Sequence, residues 1–99
     1  MRRRQLGVSA NAVRLHPRHI RALDLLSDGA VQVVEVIRET PAWHAGVEPG
    51  DLIIALGGRV VTNVDDLHRL LTIFPLDRQL DMTVVRGKAL RELVIAPGL

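Results

Sequence analysis

Residues 40–61 constrain the fold more than any other segment, because prolines and glycines divide them into short pieces. Thr40 is a typical helix N-cap, and Pro41 suits the first position of the helix that follows it. Gly46 can end that helix in the left-handed conformation. The segment therefore predicts a short helix that begins after Thr40 and ends at Gly46.

The second half of the same segment predicts a hairpin of two short strands. Pro49-Gly50 suits a turn in which proline sets one torsion and glycine supplies the positive one. The stretch "DLIIAL", residues 51–56, is typical of a buried strand. Gly57-Gly58 is a tight hairpin signal that leads into Val60-Val61.

The remaining elements follow from hydrophobic spacing and local turn signals. Strands are predicted over 6–15, 30–37, 79–85 and 89–96, and a helix from Pro17 to about Leu26. Alternating strands and short helices in this order predict an α+β fold. We expect a small five- to six-stranded, partly open β-barrel or sandwich capped by two to three helices.

The third predicted helix has clear start signals. Asn63 suits the N-cap, and Asp65 and Asp66 lie in the first turn, where the helix dipole favours negative charge. A catalytic carboxylate pair is the alternative interpretation of the two aspartates. The apolar side of the helix is formed by Leu67, Leu70, Leu71 and Phe74.

Length and composition indicate one small domain over residues 1–99 with an aliphatic core. The chain is 47% hydrophobic and 24% charged, and it holds one Trp, one Phe and no Tyr. So few aromatic side chains argue against a surface that stacks on nucleobases. Cysteine is absent, which excludes disulfides, thiol catalysis and Cys-ligated zinc. We expect no cofactor.

The N-terminal quarter is basic although the net charge is only +2. A basic quarter favours anionic partners, and both a peptide carboxylate and nucleic acid are candidates. We interpret residues 1–4, which include Arg2-Arg3-Arg4, as the remnant of a basic linker and expect no nucleic-acid partner. No apolar run reaches membrane-spanning length, and no apolar region follows the basic start as in a secretory signal. If the protein is exported, we expect its signal to lie upstream of this segment.

Four stretches, taken in order, resemble the PDZ domain of HtrA/DegP-type serine proteases: "QLGV", "PAWHAGVEPGDLIIALGGRVV", "NVDDLHRLL" and "LDMTVVRGKALRELVI". The resemblance runs from about Arg3 to Ile95. It implies a non-catalytic module that binds hydrophobic C-termini, or extended internal segments, by adding them as a strand. It also implies an upstream protease domain in the same chain and a location in the bacterial periplasm or cell envelope. Intramembrane proteases, tail-specific proteases and secretion components also carry such domains.

The resemblance implies a carboxylate-binding loop followed by a ligand-binding strand and a helix that walls the groove. Gly7 would let the ligand approach the backbone, and successive N–H groups would form an anion nest. Leu67 and Leu70 would turn toward the core, and an apolar pocket would take the last ligand side chain. The implied peptide-binding residues are Arg4, Gln5, Leu6, Gly7, Val8, Ser9, Ala10, Val64, Leu67, His68 and Leu71.

His68 has two interpretations, an exposed helical histidine or a groove residue that contacts the ligand. Imidazoles ordinarily change charge near neutral pH. The second interpretation therefore expects binding to change between about pH 5.5 and 7.5, and His68→Ala to abolish that change. An unchanged pH profile would support the first interpretation.

Catalysis by the chain itself is not expected. Neither Ser9 nor Ser27 lies in a glycine-rich nucleophile turn. His16 and His19 lack nearby carboxylates that would complete a metal site, so they are read as surface histidines. Trp43 is either part of a contact surface or partly buried against a neighbouring loop. A structural role, with the groove filled by the chain itself or by a neighbouring subunit, is the alternative function.

Overall fold

A computed structural model of the chain describes residues 7–25, 27–73 and 79–96. The described residues form nine elements in the predicted order. They are β1 (Val8–Arg14), α1 (Pro17–Ala22), β2 (Gly29–Val36), α2 (Pro41–Ala45), β3 (Leu52–Leu56), β4 (Arg59–Val60), α3 (Val64–Ile73), β5 (Leu80–Arg86) and β6 (Ala89–Ile95).

The six strands form one antiparallel sheet in the order β1-β2-β3-β5-β6, with β4 paired to β3. The described strands do not close into a barrel, so β1 and β6 are the two end strands of the sheet. The predicted α+β class and partly open architecture are confirmed.

The short-range signals in residues 40–61 are confirmed. The Thr40 hydroxyl accepts a hydrogen bond from the Trp43 amide at 3.4 Å and caps α2. Gly46 ends that helix with φ of 93°. A left-handed residue at this point lets the Val47 amide turn back and donate to the Ala42 carbonyl at 3.0 Å, which closes the helix end.

Helix α1 ends at Ala22 and is shorter than the predicted span to about Leu26. Asp24 has a φ of 53°, a left-handed conformation that ends the helix before the last apolar position of the pattern is reached. Leu26 and Phe74, predicted members of helical apolar faces, lie outside the described residues.

The core is aliphatic, as the composition predicts. Strands β2, β3 and β5 supply the centre of the core, and α3 covers it with Leu67, Leu70 and Leu71. The largest side chains with almost no exposure include Ile53, Leu56 and Met82. Among the described residues, no helix has the length and apolarity needed to cross a membrane.

Candidate functional site

Strand β1 offers an open sheet edge beside a helix. Among the described strands it pairs with β2 alone, because it stands at one end of the sheet order. Helix α3 lies next to it, and Val8, Ala10 and Val64 pack partly buried against the same core. A cleft between an end strand and a helix is the arrangement that accepts an extended peptide as an additional strand.

The hydrogen bonds at the two ends of β1 show which backbone groups face this cleft. The Gly7 carbonyl accepts from the Ile37 amide at 2.8 Å, and the Leu15 amide donates to the Asp28 carbonyl at 2.6 Å. Both partners lie on the β2 side. Successive residues of a strand direct their N–H and C=O groups to opposite sides. The odd-numbered residues of β1 therefore face β2, and Val8, Ala10 and Ala12 face the open edge.

The irregularity in the β1–β2 pairing does not disturb this alternation. Ser9 pairs with Glu35 and Ala10 pairs with Val33, so the extra residue is Val34 on β2. The bulge therefore interrupts β2, while β1 keeps a regular alternation along its open edge.

Gly7 lies in front of β1 in a conformation and a space that suit glycine alone. Its φ is 96°, and a Cβ built on it would overlap the Thr40 side chain. Thr40 is held there because its hydroxyl donates to the Ile37 carbonyl at 2.7 Å while capping α2. The loop, the end of β2 and the start of α2 are therefore packed together at the end of the cleft.

The sequence-predicted site residues fall into three groups. Arg4, Gln5 and Leu6 lie outside the described residues. Gly7, Val8, Ser9 and Ala10 lie at the start of β1, with Ser9 exposed and the other three at least partly buried. On α3, Val64 is half-buried, His68 is exposed, and Leu67 and Leu71 are buried.

Hydrogen bonds among Thr62, Asn63 and Asp66 hold the start of helix α3. The Asp66 amide donates to the Asn63 side-chain oxygen at 2.8 Å, as the N-cap prediction requires. The Asp66 carboxylate in turn accepts from the amide and the hydroxyl of Thr62. These hydrogen bonds from Thr62, helped by the nearby Arg69, lower the pKa of Asp66. The carboxylate thus fixes the start of the helix that walls the cleft.

An ion pair between a buried carboxylate and a half-buried guanidinium holds the turn behind the site, and the sequence did not predict it. The side chain of Asp51 is 2% exposed and accepts two hydrogen bonds from Arg86, at 2.8 and 2.7 Å. This pairing raises the pKa of Arg86. Arg86 also donates to the Gly46 carbonyl at 2.8 Å. It therefore ties the end of α2 and the turn before β3 to the end of β5.

The signal for this pair was weak in the sequence. Asp51 lies in one of the four stretches that resemble a PDZ domain, but no local sequence signal marks Arg86 as its partner. The two residues are 35 positions apart. Only the pairing of β3 with β5, where Leu52 lies opposite Val85, brings them together.

His16 and Ser27 each accept a local hydrogen bond from the backbone. His16 caps α1 by accepting from the Arg18 amide at 3.0 Å, and the Ser27 hydroxyl accepts from the Gly29 amide at 3.1 Å. Trp43 is 42% exposed and meets His44 edge-on. Within the described ranges, no three His, Asp or Glu side chains come together as metal ligands would.

A family model described as "PDZ domain" matches residues 32–86, more than half of the chain. The chain belongs to the PDZ domain family. PDZ domains are non-catalytic modules, so the prediction that this chain is not itself an enzyme is confirmed.

Two curated relatives are serine proteases of the HtrA/DegP type. "Serine protease HTRA2, mitochondrial" of Bos taurus is 33% identical over 67 residues, which cover 68% of this chain and 14% of that protein. "Probable periplasmic serine endoprotease DegP-like" of Rickettsia prowazekii is 31% identical over 65 residues, covering 66% and 13%. The predicted resemblance to an HtrA-type PDZ domain is confirmed. The chain spans about one seventh of these relatives' length.

Two solved structures share the fold. The HtrA3 PDZ domain bound to a phage-derived ligand, FGRWV, has a TM-score of 0.73 at 22% identity, covering 97% of this chain and 86% of that chain. The HtrA-type protease AlgW with a decapeptide has a TM-score of 0.75 at 22% identity, covering 95% and 28%. Both of these structures hold a peptide.

Proposed function

We propose that this PDZ domain captures the C-terminal segment of a peptide by adding it as an antiparallel strand along the open edge of β1. The main support for this proposal is that the backbone N–H and C=O groups of successive β1 residues face opposite sides of the strand. Val8, Ala10 and Ala12 direct their backbone groups to an edge that no strand of the described chain occupies. An edge of unpaired N–H and C=O groups is a template for another strand.

The loop before β1 would receive the ligand's terminal carboxylate. Backbone N–H groups around a left-handed glycine can converge on an anion, and Gly7 has that conformation. In this proposal Leu6, Gly7 and Val8 donate to the carboxylate, and Arg4 adds long-range attraction. Because Gly7 has no side chain, the loop can lie close to Thr40.

An apolar last residue fits the walls of the cleft. Val8 and Val64 are partly buried at its sides, and Leu67 and Leu71 of α3 form the buried apolar surface next to them. Burying one aliphatic side chain there would contribute roughly 1.5–3 kcal/mol. The phage-derived ligand of the HtrA3 PDZ domain, FGRWV, also ends in an aliphatic residue.

We further propose that the parent protein is an HtrA-like serine protease, in which this domain recruits substrates or relays peptide binding to a protease domain upstream. This proposal is supported by the two relatives reported above, since both are serine proteases by name. A bacterial periplasmic location is proposed on the same ground, since DegP-like relatives carry that description.

The affinity of matched peptides tests the capture of a free C-terminus. We expect a peptide ending in a free Val carboxylate to bind about 10- to 100-fold more tightly than its C-terminally amidated form, because hydrogen bonds to charged groups contribute about 1.5–3 kcal/mol. Titration calorimetry on the 99-residue chain measures both affinities. Equal affinities would contradict carboxylate capture and favour internal segments.

The same titrations test the alternative that the cleft is filled by the chain or by a neighbouring subunit. In that case peptides of any terminal residue would fail to bind, or would bind only as the protein is diluted. Sedimentation velocity across the same concentrations would then show dissociating oligomers.

A further inference from the structure

The pairing of β1 with β2 places an acidic side chain in line with one position of the proposed ligand strand. Ser9 lies directly opposite Glu35 in the β1–β2 register. Side chains opposite each other in a sheet lie on the same face. Ser9 and Glu35 therefore point to the same side, and both are exposed to solvent.

Alternation along the ligand decides which of its residues shares this face. Val8 and Ala10 pack against the core, so a last ligand side chain in the apolar cleft lies on their face of the sheet. Successive side chains of a strand point to opposite faces. The penultimate ligand side chain therefore lies on the solvent face, in the row formed by Ser9 and Glu35.

The bulge in β2 adds an apolar neighbour to that row. Val34 is the residue without a partner in β1, and it is 52% exposed next to Glu35. No hydrogen bond or ion pair joins the Glu35 carboxylate to any side chain within 7–25, 27–73 and 79–96. The solvent face thus presents an unpaired negative charge beside an exposed aliphatic surface.

The distance to Glu35 requires a long ligand side chain. Neighbouring strands lie about 4.8 Å apart, so the ligand strand would be roughly 10 Å from β2. Ser9, between them, has a short side chain that leaves the path open. A long aliphatic stem can lie across Ser9 toward Val34 while its charged head reaches the carboxylate.

We propose that, within the strand addition described above, Glu35 and Val34 select ligands whose penultimate residue is Arg or Lys. This preference rests on the strand addition proposed above, and it assigns a specificity to one further position of the ligand. Because both partners remain exposed, the effect is modest and sensitive to salt.

Four peptides that differ only at the penultimate position test this selection. They end in Arg-Val, Lys-Val, norleucine-Val and Glu-Val, each with a free carboxylate. Competition against a fluorescent peptide at low ionic strength measures their affinities for the wild type, Glu35→Gln, Glu35→Lys and Glu92→Gln. Glu92 is the matched control, because it is an exposed glutamate on β6 at the other end of the sheet.

We expect the wild type to bind the Arg and Lys peptides about two- to fivefold more tightly than the norleucine peptide, and to bind the Glu peptide most weakly. Glu35→Gln should remove the preference for a positive charge, Glu35→Lys should favour the Glu peptide, and Glu92→Gln should behave as the wild type. High salt should reduce the wild-type preference.

A wild type without charge preference, or one whose preference survives in Glu35→Gln, would overturn the selection while leaving strand addition intact. If none of the four peptides binds the wild type, strand addition itself is wrong and the selection falls with it.

Discussion

At the scale of single residues, Gly7 is the position where substitution should be most damaging to the site. Its φ of 96° disfavours any side chain, and the Thr40 side chain occupies the space that a Cβ would need. Thr40 cannot retreat easily, because it both caps α2 and donates to the Ile37 carbonyl. Both causes act on the loop that would hold the ligand's carboxylate.

We therefore expect Gly7→Ala to lower the free energy of unfolding by about 2 kcal/mol or more and to abolish peptide binding. Gly58→Ala is the matched control. Gly58 has a φ of 81°, but nothing lies within 4 Å of the position its Cβ would take. Urea unfolding of both variants separates backbone strain from overlap. Equal losses of stability in the two variants would contradict a specific clash with Thr40.

At the scale of elements, the capping of α3 makes stability depend on pH in the acid range. The pKa of Asp66 is lowered in the folded chain, chiefly by hydrogen bonds from Thr62. A carboxylate with a lowered pKa stabilises the folded state above its unfolded pKa of about 4, and the contribution is lost as pH falls through the folded pKa.

Asp66→Asn should therefore flatten the decrease in unfolding free energy between about pH 5 and pH 2, and cost about 1 kcal/mol at neutral pH, as for a helix cap. Urea unfolding across this range measures the effect. Asp65→Asn is the control, because Asp65 is exposed in the same helical turn. A pH profile identical to that of the wild type would show that the Asp66 carboxylate does not cap the helix.

The ion pair between Arg86 and Asp51 joins three elements, and its loss should be costly. Removing Arg86 leaves the Asp51 carboxylate buried without its cation. We expect Arg86→Met to lower the free energy of unfolding by about 3–5 kcal/mol. Arg91→Met, at an exposed position on β6, should change it by less than about 0.5 kcal/mol. Chemical denaturation compares the two, and similar small effects would show that the pair contributes little.

The sequence predicted those elements whose signals are local. The helix caps at Thr40 and Asn63 and the left-handed Gly46 are recognisable within four residues of the positions they serve. The contacts of Gly7 with Thr40 and of Arg86 with Asp51 join distant parts of the chain. They depend on strand register, which local spacing does not determine.

The end of α1 shows the same limit. The apolar pattern continued to Leu26, but the left-handed backbone at Asp24 ended the helix at Ala22. On α3 the apolar pattern correctly predicted which face is buried, because that face packs directly on the core. The sequence thus predicted the buried face of α3, but it did not predict the residue at which the shorter α1 ends.

At the scale of the whole molecule, the open sheet explains why one end strand is available for a partner. The chain belongs to the PDZ family, and its β1 edge lies beside α3 and is not paired with any other strand of the described residues. The other end strand, β6, carries exposed Leu90 and Val94 together with charged side chains. Charged residues are a common protection of sheet edges, and they distinguish β6 from the less charged β1.

Amide hydrogen exchange along β1 shows whether a bound peptide joins the open edge of this strand. The odd-numbered amides already face β2, whereas Val8, Ala10 and Ala12 face the open edge. We predict that a peptide with a free C-terminal Val slows exchange at the three even-numbered amides and changes Ser9, Asn11 and Val13 little. Unchanged exchange at Val8, Ala10 and Ala12 with bound peptide would contradict strand addition.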